Sequence, residues 1–166
     1  ASPQHAASPP TVAPLPQMWR NGATVVTRAP MQACYGHTAL SPYPDGSRLV
    51  GTGSAASAQA ATVCRWDGSV VGELQCAGVV RAVAATNERI ATGGDGGQIL
   101  LWDAESLQQR GTLQHGSNNV NALDMRGEVL LSGSYDKSVK RWSVPKLKCT
   151  ATMAGHTGWV WSVAIG

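Results

Sequence analysis

The sequence contains an internal repeat with a period of 40 residues. Residues 80–103, VRAVAATNERIATGGDGGQILLWD, align without a gap on residues 120–143, VNALDMRGEVLLSGSYDKSVKRWS, and a third copy begins at Val160. A period of about 20 to 50 residues is typical of proteins that stack one supersecondary unit many times. The structure of a single unit is therefore expected to determine the fold.

Each unit contains three apolar runs separated by turn residues, followed by a fourth, weaker run. In the second copy these runs lie near Val120–Met125, Val129–Ser134, Ser138–Ser143 and Cys149–Met153. Four short strands per unit are typical of a propeller blade. Because one blade cannot cover both faces of its own sheet, the apolar runs predict blades that stack face to face.

Several short motifs mark these units, namely Gly155-His156, Ser132-Gly133-Ser134, Asp136 and the pairs Trp66-Asp67, Trp102-Asp103 and Trp142-Ser143. In these motifs the units resemble the WD-repeat family. The resemblance implies an all-β chain, a WD-repeat β-propeller with about three four-stranded blades plus the start of another. That would be an incomplete ring, since a ring of this family takes about seven blades, or roughly 300 residues.

The chain divides by composition into an arm and a propeller. Residues 1–33 are rich in Pro, Ala and Ser and show little apolar periodicity, which predicts a disordered N-terminal arm. The partial propeller is predicted over 34–166, with a degenerate blade at 34–67, clear repeats at 68–103 and 104–143, and the start of a truncated blade at 144–166. Trp19, within the arm, is either a short docking residue or the first piece of the fold.

In the WD-repeat family a His, a Ser or Thr, an Asp and a Trp form a hydrogen-bonded cluster inside each blade, which satisfies buried polar groups. The resemblance gives these structural roles to Thr92, Trp102, Ser132, Asp136, Trp142 and His156.

Both complete copies depart from that cluster pattern. The position 40 residues before His156 is Gly116, and His115 is one residue out of register. In the earlier copy Cys76 and Gly96 stand where His and Asp are expected. We therefore expect incomplete clusters and blades that depend on their neighbours for stability.

Propellers of this family bind partners at one rim, which is reached from the start of the first strand and from the turn after the second. The 40-residue register places eight residues there: Val79, Arg81, Asp95, Asn119, Asn121, Tyr135, Trp159 and Trp161. Arg, Trp and Tyr are the commonest interface hot spots. For the two Trp residues, packing between blades is the alternative.

No catalytic, cofactor-binding or metal-binding residue is predicted, and no small-molecule substrate is expected. The chain lacks a G-x-S-x-G nucleophile elbow, and the run Gly93–Gly97 lacks the Lys of a P-loop and lies between strands, which indicates a hairpin turn.

No apolar run approaches the roughly 20 residues that cross a bilayer. Four cysteines without a C-x-x-C pair favour a reduced, intracellular location, cytoplasmic or nuclear: Cys34, Cys64, Cys76 and Cys149.

The sequence predicts a scaffold or adaptor that binds other proteins. A ubiquitin-ligase substrate adaptor is one subclass, because the runs Leu131–Ser134 and Gly155–Trp161 resemble the F-box/WD-repeat type. An enzyme built on the propeller is one alternative. An RNA- or chromatin-associated propeller is another, and it would use a basic stretch made of Lys137, Lys140, Arg141, Lys146 and Lys148. A net charge of +3 is modest for a nucleic-acid binder, and a solvated face is the simpler interpretation.

Overall fold

The computed structural model describes residues 40–52 and 59–166, which form three four-stranded antiparallel sheets. Blade 1 contains β1 (Leu40–Pro42), β2 (Arg48–Thr52), β3 (Ala60–Arg65) and β4 (Val70–Gln75). Blade 2 contains β5 (Val80–Ala85), β6 (Arg89–Gly94), β7 (Gln98–Asp103) and β8 (Gln109–Gln114), with a single 3-10 turn at Asp95–Gly97. Blade 3 contains β9 (Val120–Arg126), β10 (Val129–Ser134), β11 (Val139–Ser143) and β12 (Lys148–Met153).

Each sheet is a simple meander, since its strands pair in chain order. The prediction of an all-β fold with four-stranded blades is confirmed. Each sequence unit is offset from a blade, because the unit 104–143 contains the outer strand of blade 2 and three strands of blade 3. The predicted arm at 1–33, together with Trp19 and Cys34, lies outside the described residues. No helix in the described ranges is long and apolar enough to span a membrane.

The faces of neighbouring blades bury two apolar cores. Between blades 1 and 2 the fully buried side chains include Val50, Val63, Leu74 and Ile90. A second core between blades 2 and 3 includes Ile99, Leu101, Leu113, Val120 and Leu130. Burial of apolar surface stabilises a fold by roughly 25 cal/mol per Å², so the stacking of blades is the main source of stability in this chain.

Strand β7 shows why the middle blade has a continuous apolar run. Successive side chains of a strand point to opposite faces, so Leu100 and Trp102 join the first core while Ile99 and Leu101 join the second. Strand β11 of blade 3 is more polar, with Lys140 and an exposed Arg141. A cleanly alternating pattern is replaced by an apolar one only where both faces of the sheet are covered.

A repeated contact between a leucine and a glycine joins each blade to the one before it. Leu107, in the turn after β7, packs on Gly72 of β4, and Leu147, in the turn after β11, packs on Gly111 of β8. An added Cβ would lie 2.5 Å from Leu107 Cδ1 at Gly72 and 2.8 Å from Leu147 Cδ2 at Gly111. Both leucines adopt left-handed φ values, 57° and 49°. We call these two pairs the leucine latches.

The segment 154–166 contains no strand, yet it packs on blade 3 in the way a next first strand would. Val160 is only 4% exposed and lies against Gly133, as Val120 lies against Gly93. The backbone N–H of Ile165 donates to Asp124 Oδ2 at 2.7 Å. The 40-residue register thus continues into the packing of the final segment.

Candidate functional site

The starts of the inner strands and the turns after the second strands meet at one end of the blades. The N–H of Asp95 donates to the carbonyl of Val79 at 3.2 Å, and the N–H of Tyr135 donates to that of Asn119 at 3.0 Å. Blades 2 and 3 therefore present the same pair of loops on the same side. We call this end the rim.

An ion pair fixes the rim of blade 2. Arg81 Nε on β5 lies 2.6 Å from Asp95 Oδ1 in the turn after β6. The side chains are 19% and 39% exposed, respectively. Since exposed pairs contribute only about 0 to 1 kcal/mol, the role of this pair is mainly to hold the guanidinium in place.

Aromatic side chains from successive units pack together at the rim. Tyr135 stacks on Trp159 with ring centroids 4.3 Å apart and planes 20° apart. Trp161 meets the edges of both rings, at 5.6 Å from Tyr135 and 5.8 Å from Trp159. The Arg81 guanidinium carbon lies 6.0 Å from the centre of the Tyr135 ring, within cation–π range. We call these four residues the aromatic rim.

The two indoles of the aromatic rim are the most exposed part of it. Trp159 is 54% exposed and Trp161 is 56% exposed. Aromatic rings of this size bury 150–250 Å² when covered, roughly, so they dominate interface energies. A partner that covered both indoles would gain a large apolar contact held rigidly by the ring stack.

The other predicted rim residues differ in accessibility. Val79 is 37% exposed, and Asn119 Oδ1 accepts a hydrogen bond from the N–H of Gly96 at 3.4 Å. Both amide atoms of Asn121 are buried, and within the described ranges they have no hydrogen-bond partner. The sequence placed Asn121 at the partner-binding surface, and in the structure its amide atoms are buried.

Behind the rim, blade 3 contains a buried hydrogen-bonded cluster centred on His115. Its Nδ1 lies 2.6 Å from Ser132 Oγ and its Nε2 lies 2.9 Å from Ser138 Oγ. Trp142 Nε1 donates to Ser132 Oγ at 2.8 Å, and Ser138 Oγ donates to Asp136 Oδ1 at 2.7 Å. The expectation of an incomplete cluster in this blade is wrong.

The physical reason for this correction is a one-residue insertion in a loop. His115 and Cys76 are each the first residue after an outer strand, β8 and β4. Four residues separate His115 from Val120, whereas three separate Cys76 from Val80. Counting back 40 residues from His156 therefore selects Gly116. His156 itself is exposed.

Burial lowers the pKa of His115, and the charge of Lys140 lowers it further, while Asp136 at 3.4 Å opposes both. The Lys140 ammonium donates to the carbonyl of His115 and lies 6.0 Å from the Trp142 ring centre. The imidazole is thus held neutral, as a hydrogen-bonding element of the blade.

Part of the chain matches a known protein family. The model of the WD domain, G-beta repeat, matches residues 107–143. The solved RRP9 WD40 repeats superimpose with a TM-score of 0.70 at 22% sequence identity, covering 80% of this chain and 43% of that one. Residues 107–143 thus match a WD repeat, and the described blades share the fold of WD40-repeat proteins.

Curated relatives match this chain over about half of its length or less. A zinc finger CCCH domain-containing protein 59 of Arabidopsis thaliana is 38% identical over 85 residues, which are 48% of this chain and 18% of that protein. The p21-activated protein kinase-interacting protein 1-like of Danio rerio is 33% identical over 87 residues, 52% of this chain and 24% of that protein. The F-box/WD repeat-containing protein 7 of Drosophila melanogaster is 34% identical over 64 residues, 38% of this chain and 5% of that protein. The chain thus spans under a quarter of each relative's length.

The WD-repeat cluster of blade 2 is a reduced version of the one in blade 3. Trp102 Nε1 donates to Thr92 Oγ1 at 3.0 Å, and Cys76 Sγ lies 3.4 Å from the same oxygen. Cys76 is smaller than an imidazole, and a cavity of about 20 Å³ lies beside it. Burial raises the pKa of the Cys76 thiol, although the hydrogen bond to Thr92 opposes this. Here the expectation of an incomplete cluster agrees with the geometry.

The basic stretch of the sequence is divided in space. Lys137 is exposed in the turn between β10 and β11, at the rim. Lys146 lies in the turn after β11, at the opposite end of that five-residue strand, and Lys148 is paired with Ser143 beside it. At about 3.3 Å per residue, roughly 16 Å of strand separates the two turns. Lys140 and Arg141 are neighbours on β11 and point to opposite faces of the sheet, so the five basic side chains do not all lie on one face.

Within the described ranges, no group of three or more His, Cys, Asp or Glu side chains is arranged to hold a metal ion. The three cysteines described, Cys64, Cys76 and Cys149, are free thiols. Two structural features were missed by the sequence reasoning, namely His115 and the leucine latches. The signal for His115 was its position one residue after an outer strand, and the signal for the latches was the 40-residue spacing of Leu107 and Leu147.

Proposed function

We propose that this chain is a scaffold or adaptor that binds other proteins through the aromatic rim. The observation that carries the proposal is the stack of Arg81, Tyr135 and Trp159, which come from three successive units and meet on one side of the propeller. Their residue types are those enriched at interface hot spots, which cluster in rigid, well-packed settings. The names of two relatives, a kinase-interacting protein and an F-box protein, agree with a role in protein binding.

Several features favour a protein partner over a nucleic acid. Arg81 is already paired with Asp95, and Lys140 is engaged by the backbone of His115. Of the other residues of the basic stretch, Lys137 lies at the rim, Arg141 lies on β11, and Lys146 and Lys148 lie near the opposite end of that strand. Nucleic-acid binders need a continuous positive track that follows phosphates. We propose an intracellular, non-catalytic role, and a ubiquitin-ligase substrate adaptor as the subclass to test first.

The decisive experiment is affinity capture from cell extract with the wild-type chain and with Trp159→Ala. Loss of a buried hot-spot Trp weakens binding by about 2 kcal/mol or more, which is roughly 30-fold. We therefore expect the specific partners to disappear from the Trp159→Ala capture. Co-purification of ubiquitin-ligase subunits with the wild type would support the adaptor subclass, and their absence would remove it.

Two matched controls test whether the loss of partners is specific to the rim or follows the removal of any exposed apolar side chain. Val70 and Met153 lie on outer strands and are 61% and 45% exposed. Val70→Ala and Met153→Ala should retain the partners that Trp159→Ala loses. Equal retention by all three variants would contradict binding at the aromatic rim.

A further inference from the structure

Trp159 and Trp161 form a corner of two indole faces at the rim. Their planes are inclined by 63° with centroids 5.8 Å apart. Tyr135 covers one face of Trp159 by stacking, so the 54% exposure of Trp159 lies on its other face and its edges. Inclined aromatic walls of this kind bind proline-rich segments, and an indole face also attracts a guanidinium group.

The chain itself contains a segment with that chemistry. Pro9, Pro10, Pro14 and Pro16 are followed directly by Trp19 and Arg20 within Pro9–Arg20, PPTVAPLPQMWR. Proline fixes its own φ, so a proline-rich segment loses little conformational entropy when it binds. No acidic residue precedes Asp45, so no carboxylate of this segment opposes its approach to the electron-rich indole faces.

The direction of β1 shows from which side the chain enters blade 1. The Asp45 N–H donates to Asn87 Oδ1 at 3.0 Å and the Ala85 N–H donates to Ser41 Oγ at 3.0 Å, so residues 41–45 lie beside the end of β5 that is remote from the rim. Since β1 runs in the same direction as β5, the chain enters β1 from the rim side.

The length of the chain is sufficient for the segment to reach the corner. Three steps between neighbouring blades separate β1 from the Val160 segment, and stacked sheets lie about 10 Å apart, which gives a span of roughly 30 Å. About 20 residues separate Arg20 from Leu40. At ~3.1 Å per residue in an extended polyproline conformation they reach roughly 60 Å.

We propose that Pro9–Arg20 docks on the Trp159–Trp161 corner of its own chain and competes with partners for the aromatic rim. The docking itself needs no partner. Only the competition rests on the proposed function. A tethered ligand acts at a millimolar effective concentration, so a weak contact is enough to occupy the corner and to set a threshold for partner binding.

The test uses the full 166-residue chain labelled with 5-fluorotryptophan and observed by ¹⁹F NMR. The arm variant carries Pro9→Ala, Pro10→Ala, Pro14→Ala and Pro16→Ala, and the matched control carries Pro3→Ala and Pro30→Ala. Signals are assigned with Trp159→Phe and Trp161→Phe. We expect the arm variant to move the signals of Trp159 and Trp161 and to leave those of the buried Trp102 and Trp142 in place, while the control moves none of the four.

A synthetic peptide of residues 9–20, added in trans, gives the second measurement. It should bind the arm variant at least about threefold more tightly than the wild type, whose own segment competes, and it should restore the wild-type positions of the two signals. Unmoved Trp159 and Trp161 signals in the arm variant would overturn the proposal, and so would signals that depend on protein concentration, which indicate docking between two copies. Partner capture on the same variants reports separately on the proposed function.

Discussion

His115, in the loop between β8 and β9, contacts two serines and thereby ties the connection between blades 2 and 3 to strand β10 and the turn before β11. Removing it would leave Ser132 and Ser138 underbonded in a buried site and would open a cavity. An unsatisfied buried group costs about 1–3 kcal/mol, and a cavity adds to that cost. We expect His115→Ala to lower the free energy of unfolding by about 2–4 kcal/mol in urea denaturation.

The control for this substitution is His156→Ala. His156 is exposed, and surface substitutions usually change stability by less than about 0.5 kcal/mol. Similar losses in the two variants would contradict a special role for His115.

The protonation of His115 predicts how stability changes with pH. Because folding lowers the pKa of His115 below its ordinary value of 6.5, the unfolded chain binds a proton before the folded chain as the pH falls. The stabilisation is therefore complete above about pH 7 and is lost below 6.5, with a slope of at most ~1.4 kcal/mol per pH unit. Charged groups facing the ring are Asp136 and Lys140.

The measurement is the free energy of unfolding between pH 8 and pH 5 for the wild type, His115→Gln and His156→Gln. His115→Gln should flatten the dependence below pH 6.5, whereas His156→Gln should follow the wild-type curve. The opposite ranking would show that another group titrates. Extending the measurement below pH 4 should show a further decline from Asp136, because burial raises its pKa but the hydrogen bonds from Ser138 and the nearby positive charges together lower it.

Residue roles were predictable to different degrees. The register placed Tyr135, Trp159 and Trp161 at one end of the blades, and the structure brings those three into contact with Arg81. The 40-residue register could not identify His115. The direction of that side chain depends on where β8 ends, and a one-residue insertion in the following loop shifts the residue out of the register. The burial of the Asn121 amide could not be predicted either, because exposure at the start of a strand depends on neighbours in the next unit.

At the level of elements, the leucine latches join the turn of one blade to the outer strand of the blade before. A valine at position 111 would suit a strand, but it would meet Leu147 Cδ2, since even an added Cβ lies 2.8 Å from that atom. We therefore expect Gly111→Val to destabilise the wild type by about 1–3 kcal/mol. The same substitution should be neutral or stabilising in Leu147→Ala.

Such a change of sign is a coupling between two positions that a double-mutant cycle measures directly. The matched control is Thr112→Val, on the same strand at an exposed position, which should be additive with Leu147→Ala. Additive behaviour of Gly111→Val would show that the latch does not constrain β8.

The strand positions agree closely with those predicted from the sequence. The run predicted near Val129–Ser134 is β10, and the run near Val120–Met125 is β9 with one further residue. The latch turns could not be foreseen, because Leu107 and Leu147 adopt a left-handed backbone that costs a non-glycine residue about 1–3 kcal/mol. Packing against a glycine in another blade offsets that cost, and such a contact is not visible in local sequence.

At the level of the whole molecule, blade 2 is covered on both sides and blade 3 has a largely exposed outer strand. Strands β6 and β7 are buried along nearly their whole length, whereas five of six residues of β12 are exposed. Local opening is easiest where few apolar contacts must break. We expect amide hydrogen exchange to be slowest in residues 89–103 and fastest in 148–166, measured by mass spectrometry.

Strand β8 provides the internal comparison for that experiment. It is also an outer strand, but Leu147 covers it at Gly111, so residues 109–114 should exchange at an intermediate rate. Protection of β12 equal to that of β7 would contradict this order and would indicate that another surface covers blade 3.

The fold as a whole was accessible from the sequence because the 40-residue period carries its own alignment. The first blade was harder to predict, since an Ala and Ser insertion at 55–61 hides the relation between β2 and β3. Its four strands nevertheless form one sheet, and they are held to blade 2 by Val50, Val63 and Leu74. The apolar packing of blade 1 on blade 2 is therefore kept although the insertion interrupts the sequence repeat.

The turns after β6 and β10 each contain one aspartate, shifted by a single position. Asp136 faces inward and orders the serine and histidine of its own blade, whereas Asp95 faces outward and holds Arg81 beneath a tyrosine. A shift of one residue in this turn is thus enough to move a carboxylate from the interior to the rim, where it positions a cation instead of a serine. Neighbouring copies of a repeat can therefore present different groups at the rim while they keep nearly the same composition.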